Sequence, residues 1–237
     1  MSMAERTPTA GRPPLMTPEE IHCWFELQRE TLERLHPSWL PSIEAELLVA
    51  ARQSGPGRRW LANRLCTSRP LLFALPRGVG STSVHDLPQH QTFRAVLQEP
   101  VERALDLGSL AIAARLRTVV SRPAITRLRT LLGLERYERA LHIPPARTAP
   151  AAVPWLSMQS GDEVEVLVGQ ALHHGAHELA TYAARLHPAL GESVKLSFEC
   201  RWWDGPYPTS LDFQTVKACL NLRTTPNDSS LGSEASP

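Results

Sequence analysis

The residues best able to do chemistry stand in one run, His173-His174-Gly175-Ala176-His177-Glu178. On a helix, His173 and His177 lie one turn apart, a spacing at which two imidazoles can share a metal ion. The zinc-protease pattern H-E-x-x-H places its base between the ligands. Here Glu178 follows the pair, and no third ligand is indicated nearby. The expectation is therefore a solvated or half-buried histidine face, with no metal and no cofactor. Gly78-Val79-Gly80-Ser81 lacks the lysine and the G-x-x-x-x-G-K-[ST] spacing of a phosphate loop. There is no G-x-S-x-G element, and no serine or cysteine nucleophile has an assignable partner. No catalytic residue is expected.

Aromatic side chains offer a different chemistry, that of contact. Trp24, Trp39, Trp60 and Trp155 each sit among aliphatics and read as core. Trp202 and Trp203 are adjacent, followed by Tyr207 in a Gly-Pro-rich turn. Large apolar groups in such a turn are candidates for an interface. Arg127, Arg129, Arg136 and Arg139 fall on the polar sides of two consecutive helical stretches and form a second candidate surface. Core packing and solvated helix faces are the alternative readings of these two groups.

Composition narrows the class. The chain has 237 residues, a hydrophobic share of 42% and a formal net charge of +1. It can supply a core, and its charge balance does not call for nucleic acid as a partner. Lys195 and Lys217 are its only lysines, and its arginines are dispersed. The four cysteines, Cys23, Cys66, Cys200 and Cys219, are far apart and include no C-x-x-C pair, so reduced thiols are expected. The first residues carry no apolar signal region, and no stretch approaches a membrane span of about 20 apolar residues. A cytoplasmic location follows as the expectation.

Helical periodicity dominates the chain. Across 101–143, Leu105, Gly108, Ile112, Leu116 and Val119/Val120 recur at spacings of three and four, with Arg103, Arg115 and Arg117 largely off that face. Ser121 and Pro123 open a second helix that Gly133 ends; Tyr137, Ala140 and Leu141 mark a third. Earlier, Ile21, Trp24, Phe25, Leu32 and Leu35 make a helix, and Ser42 caps another with Ile43, Leu47, Leu48 and Ala51 inward. Gly55-Pro56-Gly57 reads as a loop. Asp162 caps a long helix running to Leu186 and stopping at Pro188 and Gly191. Val194, Leu196 and Phe198 then alternate as a strand does. The fold expected is mostly α, an irregular multi-helix domain over 15–223 with at most a small strand near the C-terminus. A leader at 1–14, a strap at 144–157 and a tail at 224–237 are disordered or extended by composition.

The central unit resembles the SctK family, accessory proteins of the type III secretion sorting platform. The likeness runs through Leu107-Gly108, Leu116-Arg117 with Val120, Ile125, Leu128, Leu132-Gly133, Tyr137 and Ala140-Leu141. A proline-rich strap with Trp155, a helix with a small-residue face, and Lys195-Leu196-Ser197-Phe198 follow in the family's order. The resemblance implies a non-enzymatic cytosolic adaptor peripheral to the inner-membrane secretion complex. Its partners would be an SctD-like ring protein and an SctQ-like pod protein, and through the latter SctL and the ATPase. The arginine face and the aromatic turn would then serve different partners. A helical transcriptional regulator, a secretion chaperone, or an enzyme with a site assembled from scattered residues are the rival classes.

Overall fold

The computed structural model describes residues 18–73, 96–142, 162–204, 207 and 209–222. The expected leader, the loop at 78–81, the strap with Trp155 and the tail lie outside the described residues. Those described fold mostly as helices, and no strand occurs among them. We number the α-helices α1 (Pro18–Glu33), α2 (Ala45–Gln53), α3 (Gly55–Cys66), α4 (Pro70–Phe73), α5 (Pro100–Ala111), α6 (Ala113–Leu116), α7 (Arg122–Leu132), α8 (Leu134–His142), α9 (Glu163–Leu186), α10 (Pro188–Leu196) and α11 (Phe213–Leu222). Short 3-10 turns occupy Pro37–Trp39 and Cys200–Trp203.

The mostly α expectation holds, and the starts of the central helices are those the sequence marks. Ser121 accepts from the Ala124 amide with Pro123 in the first turn, and α7 gives way at Gly133, whose φ is 89°. Asp162 accepts from the Val164 amide at 2.8 Å and opens α9. Each cap satisfies an amide that the first helical turn leaves without a partner.

Helix α9 organises the packing. Its 24 residues span about 36 Å at 1.5 Å per residue. Val164, Leu167 and Ala171 on its first half join one apolar cluster with Ile112, Leu116, Leu128, Leu132, Tyr137 and Ala140. Ala176, Leu179, Tyr182 and Ala183 on its second half join another, with α1–α4, α10 and α11. Where α9 crosses α5, the backbones almost touch. A Cβ added at Gly108 would lie 1.6 Å from the Ala171 carbonyl oxygen, and one at Gly175 would lie 1.6 Å from that of Ala104. Only glycine permits this approach.

Several local expectations are corrected. The alternation at 194–201 is no strand: Val194 and Leu196 belong to α10, and Phe198 packs in the turn after it. Pro188 begins that helix rather than ending the previous one, because the His187 ring nitrogen accepts from the Ala189 amide at 3.2 Å and Pro188 lacks only an amide that needs no partner there. Gly55-Pro56-Gly57 is the first turn of α3, capped by the Ser54 hydroxyl. Glu44, not Ser42, precedes α2, and Leu47 faces outward while Leu48 and Ala51 are buried. Arg103 lies inside, where it donates to the Leu220 carbonyl at 3.1 Å. Of the core tryptophans described, Trp24 is buried and Trp39 half-buried, but Trp60 is 37% exposed. Ile21, Phe25, Val120 and Leu131 also stand outward despite their place in the periodic stripes.

Candidate functional site

The site grows from the second half of α9. Gly175 must face α5, which turns His173, His174 and His177 towards Trp202, Trp203 and Tyr207 on another side of the helix. All three histidines and Glu178 are buried, at 6% exposure or less. The expectation of a solvated or half-buried histidine face is thereby corrected: this part of α9 is enclosed on more than one side, and the three histidines and Glu178 are inside with its apolar residues.

The histidines hold the aromatic turn. The His177 ring stacks on Tyr207 with centroids 3.9 Å apart and an angle of 15°, and Trp203 lies 4.5 Å away. Its Nε2 donates to the Trp202 carbonyl at 2.9 Å. His173 meets Trp202 and Tyr207 edge-on at 5.2 and 5.3 Å. His174 Nε2 lies 3.4 Å from the Tyr207 hydroxyl. One turn on, the Glu178 carboxylate accepts from the Ser210 amide and hydroxyl and from the Leu211 amide. A single helical face thus pins the chain at 202, 207 and 210–211.

Burial sets the protonation of this cluster. Burial, then the neighbouring charges of His177 and His174, pulls His173 down to about 3. Burial, then Arg115 and His177, brings His174 to about 4. Burial also brings His177 to about 4, with the Trp202 carbonyl opposing and Lys195 assisting. The imidazoles are neutral at physiological pH and behave as aromatic packing groups. Burial raises Glu178, while the Ser210 and Leu211 donors oppose the rise. Among the described residues, no group of three or more His, Cys, Asp or Glu is arranged to hold a metal ion. One His177 nitrogen is already committed to a backbone carbonyl.

Trp202, Trp203 and Tyr207 are therefore brought together, each half-buried. Trp202 stacks on Phe198 at 5.7 Å, and Trp203 borders an open cleft with His177, Tyr207, Arg185 and Lys195. Sequence patterning missed Arg185 and Lys195, which belong to two different helices. The only local signal for Arg185 is its place as the basic residue of the last turn of α9.

The four arginines make no comparable cluster. Arg127 pairs with Asp162 and Glu165 at 2.5 Å each, tying α7 to the start of α9. Arg136, its side chain 11% exposed, donates to Asp106 at 2.6 Å and to Glu102, tying α8 to α5. Arg139 pairs with Glu135 at 2.6 Å on its own helix. Arg129 stands exposed, its guanidinium 5.7 Å from the Tyr137 ring centroid. The four described cysteines are free thiols, Cys219 buried. No family model matches the chain, and no curated protein or solved structure matches it.

Proposed function

We propose that the chain is a non-enzymatic cytosolic adaptor of a bacterial type III secretion system. It joins an SctD-like inner-membrane ring protein to an SctQ-like pod protein, and acts in assembly and export. The observation that carries this reading is the order of its SctK-like motifs along the chain. Further support comes from how those segments meet. The Leu107-Gly108 segment packs on the small-residue face of α9 through the Gly108–Ala171 and Gly175–Ala104 approaches. Arg117 donates to the Ala140 carbonyl at 3.0 Å and the Leu141 carbonyl at 3.1 Å, closing the end of α8. An adaptor needs a stiff frame between its contact surfaces, and α9 supplies one by running through both buried apolar clusters. No described helix is long and apolar enough to cross a membrane, so in this reading the chain reaches the membrane through its partners.

The test is reconstitution. The purified chain is mixed with the cytoplasmic domain of the SctD-like protein and with the SctQ-like protein from the same genome, singly and together. Size-exclusion chromatography with light scattering should show two binary complexes and one ternary complex. A folded chain that binds neither protein rules the adaptor out.

A further inference from the structure

Between the last turns of α9, helix α10 and the aromatic turn lies a cleft of about 400 Å³. Its walls are Trp203, Tyr207 and His177, and Ala184 leaves room on the helix side. Arg185 and Lys195 bring positive charge to it from two helices.

The carboxylates nearby do not balance that charge. Lys195 Nζ lies 2.8 Å from one oxygen of Glu192, whose other oxygen takes Arg69 at 2.7 Å. One carboxylate thus serves two cations. Arg185 feels Glu178, but that group is buried and one oxygen already accepts three hydrogen bonds from Ser210 and Leu211. His177 is neutral and adds no charge. The arginine helices are the opposite case, with two carboxylates on Arg127 and two on Arg136. A surplus of positive charge beside an aromatic wall favours a carboxylate that carries an apolar neighbour.

We propose that this cleft docks an acidic segment of a partner protein. An Asp or Glu carboxylate sits between Arg185 and Lys195, and a flanking aromatic or large aliphatic side chain packs on Trp203 and Tyr207. Lys195, whose ammonium lies 5.9 Å from the Trp203 ring centroid, joins the two halves of the site. Nucleic acid fits less well, because its repeated phosphates require a basic stripe and the cleft offers two cations in a chain of net charge +1. The proposal deepens the adaptor reading, from which it takes the need for a protein partner, and adds the chemistry of one contact.

The experiment pans a library of displayed dodecapeptides against the full chain. The strongest peptide is then synthesised and titrated by tryptophan fluorescence. Selected peptides should pair Asp or Glu with an aromatic or large aliphatic residue. Affinity should fall at least tenfold in the Arg185→Gln, Lys195→Gln double variant, and as far when the peptide's acids become amides. Arg185→Lys should keep most of the binding, and unchanged melting temperatures would separate lost docking from lost folding. The cleft is refuted if no peptide is selected, if the selected peptides lack acidic residues, or if the double variant binds like the parent. A chain that selects acidic peptides yet captures neither secretion protein keeps the cleft and loses the adaptor reading. A chain that forms the ternary complex but selects no acidic peptide does the reverse.

Discussion

Helices α7 and α8 and the aromatic group Trp202, Trp203 and Tyr207 look alike as sequence: each carries large groups that no apolar stripe absorbs. In the fold they diverge. The arginines of α7 and α8 are mostly spent within the molecule, Arg136 on Glu102 and Asp106, Arg127 on Asp162 and Glu165. The aromatics of the turn are held from behind by buried histidines and still border an open cleft. The difference lies in the partners. A guanidinium finds a carboxylate within a few ångströms and is geometrically finished. An indole is satisfied on one face by packing and leaves the other for a ligand. Of the two regions, the aromatic one retains more unmet chemistry.

Both regions hang on the crossing of α5 with α9, so breaking it should disrupt both at once. Gly175→Leu forces a side chain into the Ala104 carbonyl, and α9 must then move away from α5. We expect a loss of more than about 4 kcal/mol, seen as insoluble protein or a collapsed thermal transition. Gly133→Ala, with no atom within 4 Å of the added Cβ, meets only the strain of its positive φ and should stay folded. Equal damage from both would mean that the close crossing is not what makes Gly175 necessary.

Acid should separate the regions next. The unfolded chain protonates its histidines near about 6.5, whereas His173 waits until about 3, and His174 and His177 until about 4. Between those values the unfolded state binds more protons, so stability falls as pH drops through 6.5 towards 4 and levels off below about 3. Each imidazole contributes about 1.4 kcal/mol per pH unit, which puts the combined loss at pH 5 on the order of 6 kcal/mol. Glu178 acts in the opposite sense: its raised pKa makes it easier to bury protonated at low pH, which offsets part of the loss. Melting temperatures from pH 7.5 to 4.5 should drop steeply in the parent and less steeply in His173→Phe. Parallel curves would mean that the imidazoles are already protonated or solvated in the folded chain.

Much of the frame was legible beforehand, and the reasons are local. Ser121 with Pro123, Gly133 and Asp162 act within a turn of themselves, so their chemistry is written in adjacent letters. The alternation at 194–199 reads as a strand because six residues are compatible with two periods, and only the His187–Pro188 cap about two turns earlier decides between them. Histidine burial was invisible because the middle of α9 is enclosed by α5, α10 and the aromatic residues together; a stretch covered on several sides has no polar face to read. Arg136 finds its carboxylates 30 and 34 residues away. Arg185 and Lys195 converge only because Pro188 starts a new helix between them.

On the arginine side, Arg136 is the strongest tie. Asp106 is 1% exposed, so Arg136→Ala removes the guanidinium that lies 2.6 Å from a buried carboxylate. A loss of about 3–5 kcal/mol is expected in chemical denaturation. Arg136→Met combined with Asp106→Leu removes both charges and should recover most of it. A single substitution costing under about 1 kcal/mol would show Arg136 free enough to serve a partner, and would return the two regions to equal standing.

Arg127 sets the low end of the scale. Its side chain is 50% exposed, and the Glu165 carboxylate it meets is 51% exposed. Ion pairs so open to water are screened and lose side-chain entropy, and are worth about 0–1 kcal/mol. Arg127→Ala should therefore cost about 0.5 kcal/mol at low salt and nothing measurable at 0.5 M NaCl. Asp162 has a second duty, since its carboxylate also caps α9 at the Val164 amide. Asp162→Ala should cost about 1 kcal/mol more than Arg127→Ala, and that excess should survive high salt because a cap is a local hydrogen bond rather than a charge pair. Asp162→Asn, which keeps the cap and drops the charge, should fall back to the Arg127→Ala value. If all three variants lose the same stability and regain it in salt, the start of α9 is held by charge alone, and the arginine region contributes to the frame only through Arg136.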